Sequence, residues 1–439
     1  MFPLPNQVVT ALDMLNKNGF EAFIVGGCVR DFILGKTPFD YDITTNALPQ
    51  QTENVFRDFK VIETGIKHGT VTVIIDSLPL EITTYRIDGE YRDNRHPVTV
   101  SYTSRLKDDL SRRDFTMNAL AYNPDCGIKD YFNGLEDIKN KKIVCVGNPE
   151  ERFNEDALRI MRAVRFSAQL GFDIDKNTSD FIFRQKNLLK NISAERLQTE
   201  LNKMITGENI YSTLMNYSEV LSVFIPEIKN SVGFEQKSRF HKYDVWEHTA
   251  VAVSKSCNDK FVRLALMFHD IGKPFSCQQE GETRHFKGHA AVSADMAHKI
   301  MKRLKYDNNT LDTVVKIIEH HSDKFFNPKQ IKRALSLLGG DIFFKLTEVQ
   351  KADNLAKMDF CAECIPDIEN AQKIADEILK SNQCLKISDL KINGNDLKKI
   401  GLDGKEIGKM LSELLDMVID DKLKNEHDIL ISYAKNPPL

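Results

Sequence analysis

Asp40 and Asp42 sit one residue apart in "GGCVRDFILGKTPFDYDITT" (26–45), in a segment whose end reads as a strand. Like charges repel and strands disfavour Asp, so the pair needs a reason. A spacing of two turns both side chains to one face of a strand. Two carboxylates so placed can bridge one or two Mg2+ ions. A pair of such ions stabilises the attacking and leaving oxygens of a phosphoryl displacement. Glu81, in "LEITTYR" on the neighbouring strand, is either a third carboxylate of this group or a structural or solvated glutamate. Gly26-Gly27 follows a strand and opens a helix, which bares backbone N–H groups suited to phosphate. Arg30, one turn on, either adds charge-assisted bonds to the same phosphates or pairs with Asp31.

A second constellation lies in "RFNEDALRIMRAVRFSAQLGF" (152–172). Asp156 and Arg159 are three apart on an expected helix and so are neighbours on its surface. Arg162 and Arg165 continue the row. A carboxylate only accepts hydrogen bonds and a guanidinium only donates them. Cytosine and adenine each present an amino donor beside a ring-nitrogen acceptor, whereas uracil and guanine present a carbonyl beside a ring N–H. An Asp–Arg pair therefore matches C and A and opposes U and G. Histidine forms a third cluster: eight of the eleven lie between residues 241 and 321, which marks a separate domain with its own chemistry.

Elements to hold these residues are readable from hydrophobic period. Residues 1–125 alternate helix and strand. "VVTALDMLNKNG" is an amphipathic helix closed by Gly19. "EAFIVGG" is an apolar strand, "VRDFILG" a short helix stopped by Gly35, "YDITT" a strand, and "PQQTENVFRDF" a helix with Pro49 near its start. "GTVTVIID" and "PLEITTYRI" alternate as a hairpin should. From about 150 the pattern turns helical, with Gly171 ending one helix and Ser193 capping another. Residues 236–360 read as all-helical, and 361–439 as Lys- and Leu-rich helices. The expected organisation is a 1–138 head, a 139–235 helical neck and body, a 236–360 histidine-rich domain and a 361–439 tail. The fold class is α+β.

The chain has 439 residues, too many for one ordinary core. It has 41% apolar and 28% charged residues, as soluble globular proteins do. No run of 18 apolar residues occurs, so no membrane partner is expected. The N-terminus lacks the basic and apolar regions of a secretory signal. Eight scattered cysteines suit reduced thiols in the cytoplasm. A net charge of −3 does not mark a nucleic-acid binder, but local patches matter more than the sum.

These pieces resemble a known family. G-G-x-V-R-D followed by D-x-D is the signature of the nucleotidyltransferase superfamily of polymerase-β-like enzymes. "ETGIKHGTVTV" (63–73), "RIDGEYRDNRHP" (86–97), "DLSRRDFTMNALAY" (109–122), the 152–172 segment and "SAERLQTEL" (193–201) narrow it to class II tRNA nucleotidyltransferases, the CCA-adding enzymes, and their poly(A) polymerase relatives. The resemblance covers roughly residues 15–235. It implies a polymerase-β-like head, Mg2+ at Asp40 and Asp42, and nucleotide contacts from Gly27, Arg30, Arg113 and Asp114, the last at the ribose hydroxyl. Arg112, Phe115 and Asn118 shape that site. Asp156 and Arg159 act as an amino-acid template for the incoming base, with Arg162 and Arg165 supporting the nucleotide. The partners implied are the tRNA 3′ end, CTP and ATP, with no DNA.

Among relatives, enzymes adding only CC lack a flexible loop, and "YRIDGEYRDNRHPVTVSY" (85–102) matches that loop. Poly(A) polymerases typically carry a basic G-R/K-R/K-F segment where this chain has "ETGIKHGTVTV". A-only addition stays open. His248, His269-Asp270 and Asp353, within "FHDIGKP" and "KADNLAK", resemble an HD-domain metal-dependent phosphohydrolase. His289, His320 and His321 match the extra ligands of two-metal members. Imidazoles and carboxylates suit a divalent transition metal. A rival from another class is thus an HD phosphohydrolase with an RNA-binding nucleotidyltransferase-like module. The tail "INGNDLKKIGLDGKEIG" resembles the family's tRNA-gripping C-terminal region.

Overall fold

The computed structural model describes residues 2–65, 69–89 and 99–436. It divides into two compact units, residues 1–226 and 227–439. Residues 90–98 of the expected flexible loop and 66–68 of "ETGIKHGTVTV" lie outside the described residues.

In the first unit the main sheet has seven strands. Its strands are β1 Ala22–Val25, β2 Asp42–Thr45, β3 Lys60–Gly65, β4 Thr70–Ile75 and β5 Leu78–Thr84, with β8 Leu120–Asn123 and β9 Gly127–Asp130. A separate ribbon pairs β6 Arg86–Asp88 with β7 Val100–Tyr102. The sheet order is β3-β4-β5-β2-β1-β8-β9. Its pairs are antiparallel except β2 with β5, which run parallel. All four residues of β1 are buried, as an apolar central strand covered on both faces must be. The β4–β5 hairpin turns at Asp76 and Ser77, both at positive φ (45° and 67°), the backbone that a tight two-residue turn requires.

Helices α1 Asn6–Lys17, α2 Gly27–Ile33, α3 Pro49–Val55, α4 Leu106–Ser111 and α5 Gly134–Lys139 accompany the sheet. Phe23 and Val25 of β1 share a core with Leu106 and Leu110 of α4, Ala119 and Ala121. α6 Pro149–Glu155, α7 Leu158–Leu170, α8 Lys176–Gln185 and α9 Ala194–Ile205 follow. Gly171 ends α7 at φ 66°, as the sequence indicated. Ser193 does precede α9, but its hydroxyl makes no capping bond.

In the second unit α10 Val245–Lys255, α11 Lys260–Phe268, α12 His289–Arg303, α13 Asn308–His320, α14 Pro328–Leu338, α15 Gly340–Leu355 and α16 Ile365–Lys380 dominate. Asp244, Asp259, Asp307 and Asn327 cap four of them by accepting from first-turn N–H groups. The expectation of a purely helical 236–360 fails at one hairpin, Gln278–Glu280 with Thr283–His285. Gly281 at φ 60° lets the chain reverse there. The tail keeps its own core around Leu390, Ile392, Leu397, Leu414 and Leu430.

Candidate functional site

Asp42 begins β2, in register with Val25 on one side and Glu81 on the other. The expectation that Asp40 and Asp42 share a strand needs correction, because β2 starts at Asp42 and Asp40 lies in irregular, exposed chain before it. Repulsion between the two carboxylates and the low strand propensity of Asp favour that boundary. Asp42 reaches solvent, yet its walls desolvate it enough to raise its pKa. The charges of Asp40 and Glu81 push the same way, against Arg113. Unlike the second cluster described below, Asp40, Asp42 and Glu81 do not converge as three ligand atoms within 4.8 Å among the described residues.

Gly26 sits at φ 79°, ψ −133°, a conformation glycine alone adopts readily. A Cβ there would lie 2.9 Å from Arg113 Nη1 and 4.0 Å from Asp42 Oδ2. Backbone, arginine and the Asp42 carboxylate thus meet in one place, with Gly27 opening α2 beside them. Arg30 is buried. It donates to Asn118 Oδ1 (2.7 Å) and pairs with Asp31 (2.8 Å), so the Asp31 alternative holds in this state. Asn118 also donates to Asp114 Oδ1 (3.0 Å), whose other oxygen takes Arg162 Nη2 at 2.6 Å. Burial would raise the Asp114 pKa, but Arg162 and Asn118 outweigh it and hold it well below the carboxylate range. Arg30, Asn118, Asp114 and Arg162 therefore form one chain of bonds from α2 to α7.

Asp109 is the residue that sequence reasoning missed. It is fully buried and gathers Thr44 Oγ1 (3.1 Å), Arg112 Nη2 (2.8 Å) and, more distantly, Arg113 Nη2 (3.9 Å). Its position three and four residues before the two arginines is the helical spacing that could have revealed it.

Asp156 and Arg159, expected to read the base, differ from the helix-face picture. Asp156 ends α6 in extended backbone (φ −133°, ψ 101°), and α7 starts only at Leu158. Asp156 and Arg159 therefore do not lie on one helix surface. Arg159 pairs with Glu155 (2.7 Å) and donates to the carbonyls of Arg152 (3.0 Å) and Arg112 (2.7 Å). Asp156 is instead held by Arg196 of α9, at 2.9 and 3.2 Å. Forty residues separate the two, and no local spacing announces the contact. Arg165 is not brought to the group. It is buried against Glu200 at 2.5 Å and lies 3.7 Å from the Phe166 ring centroid.

In the second unit the histidine cluster assembles largely as expected. Ligand-capable atoms of His248, His269, Asp270 and Asp353 lie within 4.8 Å of one another, as do those of Asp270, His289 and His321. Asp270 belongs to both groups. His320 is left out; its Nδ1 lies 2.8 Å from Asp323 Oδ2 instead. α10, α11, α12, α13 and α15 each bring residues inward. Burial works against ionising Asp270, but His269 and Lys273 prevail and keep its pKa far down. His269 Nε2 and Asp270 Oδ1 are buried and make no well-aligned hydrogen bond among the described residues; Nε2 lies 3.2 Å from Asp270 Oδ2 and Oδ1 3.4 Å from His289 Nε2, the crowding of a donor set that an ion would relieve. A cavity of about 550 Å³ opens over the cluster, lined by Phe240, His241, Lys273, Phe326, Lys357 and Phe360 among others. His241, to which the sequence assigned no role, packs its ring 5.2 Å from that of His248. Burial and then the Lys273 charge drive its pKa down to about 2.

Family models match three stretches: "Poly A polymerase head domain" over residues 22–144, "Probable RNA and SrmB- binding site of polymerase A" over 171–231, and "tRNA nucleotidyltransferase domain 2 putative" over 287–434. The CCA-adding enzyme of Streptococcus suis is 32% identical, over 98% of this chain and 97% of its own length. That of Enterococcus faecalis is 30% identical over the same shares. The Bacillus stearothermophilus CCA-adding enzyme, solved in complex with CTP, superposes with a TM-score of 0.78 at 27% identity, covering 99% of this chain and 97% of that one. The Thermotoga maritima enzyme complexed with tRNA shares the fold, with a TM-score of 0.57 at 20% identity over 98% and 95%. Among the described residues no helix is long and apolar enough to cross a membrane. With a matched head, a matched second unit and relatives aligned from end to end, the chain belongs to the CCA-adding enzymes, a family of nucleotidyltransferases.

Proposed function

We propose that this chain adds C, C and A to tRNA 3′ ends from CTP and ATP without a nucleic-acid template, in the cytoplasm. The observation that carries the reading is the meeting of Asp42, Gly26 and Arg113 at the head of a central strand. Asp40 and Asp42 are hard oxygen donors; burial, with the charges of Asp40 and Glu81 added, raises the Asp42 pKa, a load that a divalent cation relieves. They would hold Mg2+, which supplies electrostatic stabilisation of the displacement at the α-phosphate. Arg113 and the N–H groups at Gly26-Gly27 position the triphosphate, and Asp114, held by Arg162, faces the ribose. Asp156 accepts the amino group shared by C and A, with Arg159 as the donor beside it. Positioning of this kind is worth several orders of magnitude in rate. The Lys-rich turns of the tail grip the tRNA backbone.

The test uses tRNA transcripts ending before CCA, after C and after CC, each offered CTP, ATP, UTP or GTP with Mg2+. Addition of C, C and A that then stops supports the reading. Addition of A alone to the CC-ending transcript would make the protein an A-adder, and long A tracts a poly(A) polymerase. No incorporation by the wild type, or incorporation that survives Asp42→Ala, overturns it.

The His/Asp cluster supports a second reading for the other unit. Two ligand sets sharing Asp270 suit two divalent transition-metal ions, and hence an HD phosphohydrolase activity beside nucleotide addition. Its test is release of phosphate from phosphate esters, lost in His269→Ala while CTP and ATP incorporation continues.

A further inference from the structure

The reader of the base is gripped from outside its own motif. Asp156 Oδ1 accepts from the Leu158 N–H at 3.1 Å, and both carboxylate oxygens accept from one nitrogen of Arg196, Nη2. This is not the closed fork of a structural arginine–carboxylate pair, in which two nitrogens meet two oxygens. The second nitrogen, Nη1, is buried without an acceptor among the described residues. A buried donor left unpaired is costly, and where a native fold keeps one it calls for a functional explanation. The two side chains are about one-fifth exposed, 21% for Asp156 and 23% for Arg196, so an entering base can reach them. Asp156 also lies in extended chain between two helices, where no helical lattice fixes its side chain.

We infer that Arg196 is a specificity-determining positioning residue. It fixes the plane of the Asp156 carboxylate and thereby the base edges that Asp156 accepts. A carboxylate free to rotate could avoid the carbonyl of uracil or guanine, and the penalty against those bases would fall. Held on one edge by Nη2, it presents a fixed acceptor to an amino group and a fixed repulsion to a carbonyl. This inference rests on the proposal that Asp156 reads the base.

The experiment compares kcat/KM for CTP and UTP on the transcript ending before CCA, in wild type, Arg196→Ala, Arg196→Lys, Asp156→Ala and the Arg196→Ala/Asp156→Ala double variant. Thermal melting checks folding, and Arg196→Lys serves if the alanine variant does not fold, because the lysine ammonium stops short of the place Nη2 holds and carries no rigid plane to fix the carboxylate. Either Arg196 variant should raise UTP use relative to CTP by about tenfold, the scale of one hydrogen bond to a charged group. KM for CTP should rise more than kcat falls. The double variant should be no less selective than Asp156→Ala, since Arg196 acts through Asp156. If Asp156→Ala relaxes selectivity while both Arg196 variants keep the wild-type ratio, the inference is wrong and base reading by Asp156 stands. If Asp156→Ala also keeps the ratio, the underlying reading fails.

Discussion

Arg165 of α7 and Glu200 of α9 face each other at 2.5 Å, with side chains only 8% and 5% exposed. Burial lowers the Arg165 pKa, and Glu200 opposes that shift. The pair locks together two helices that carry Arg162 and Arg196. Removing one partner strands the other as a buried charge, which costs about 3–5 kcal/mol. Glu200→Ala should therefore lower the urea midpoint of the first unit by an amount matching that loss, while Arg165→Met/Glu200→Leu together should recover much of it. An undisturbed midpoint in Glu200→Ala would show that the pair does not act as one unit.

Glu81 pairs in register with Asp42 across parallel strands and helps raise its pKa. A raised carboxylate pKa means that Asp42 takes up its proton at higher pH than an ordinary aspartate. Nucleotide addition that needs the ionised form is then lost earlier as pH falls. Glu81→Gln removes one negative neighbour, so the acid limb of the pH–rate profile should move to lower pH with the plateau retained. An acid limb that stays in place would remove Glu81 from the electrostatics of the site. A collapsed plateau would restore it as a third metal ligand.

Gly26→Ala forces a side chain into φ 79° and 2.9 Å from Arg113 Nη1. The backbone strain alone is about 1–3 kcal/mol. Arg113 must also shift, so KM for CTP and ATP should rise together. Steady-state kinetics on the CC-ending and unextended transcripts would check this. Unequal effects on the two nucleotides would argue that Gly26 serves the base rather than the triphosphate.

Asp270 belongs to both ligand sets in the second unit, but His289 belongs to one. Elemental analysis of protein carrying Asp40→Ala/Asp42→Ala to empty the head site, prepared with excess divalent transition metal, should find two ions per chain with the cluster intact and one when His289→Ala is added. Asp270→Asn should lose both. His320→Ala should keep both, since His320 points to Asp323.

The sequence was most legible where function repeats at short range. Gly26-Gly27, Asp42, the Asp114 motif and the adjacent His269-Asp270 are short-range signatures; Gly26 and Asp42 meet beside Arg113, and His269-Asp270 converges with His248 and Asp353. The hairpin of β4 and β5 was readable from strict alternation. Legibility failed where a contact spans the fold. Nothing near Asp156 betrays Arg196, because the bond forms only when α9 packs on α7. The helix break at Asp156 was hidden for another reason: "NEDALRIMRAV" keeps a helical period across it. Arg165 sits in step with Arg162, yet the step carries it around the helix into the packing face against Glu200. His320 and His321 are adjacent in sequence, and the helical turn between them lets only one face the cluster.

Asp109 joins Thr44 of the central strand to Arg112, and its Oδ1 also accepts the Arg86 N–H at 3.4 Å. One carboxylate is therefore held in common by three separate stretches of chain. Exchanging the 100–120 segment for that of a distant relative transplants Asp109 without the hydroxyl and backbone it grips. Chimeras of this head should tolerate the exchange only when the graft carries the 42–45 strand and the 84–88 ribbon with it. The practical unit of inheritance here is a knot of three strands of sequence, not any one motif.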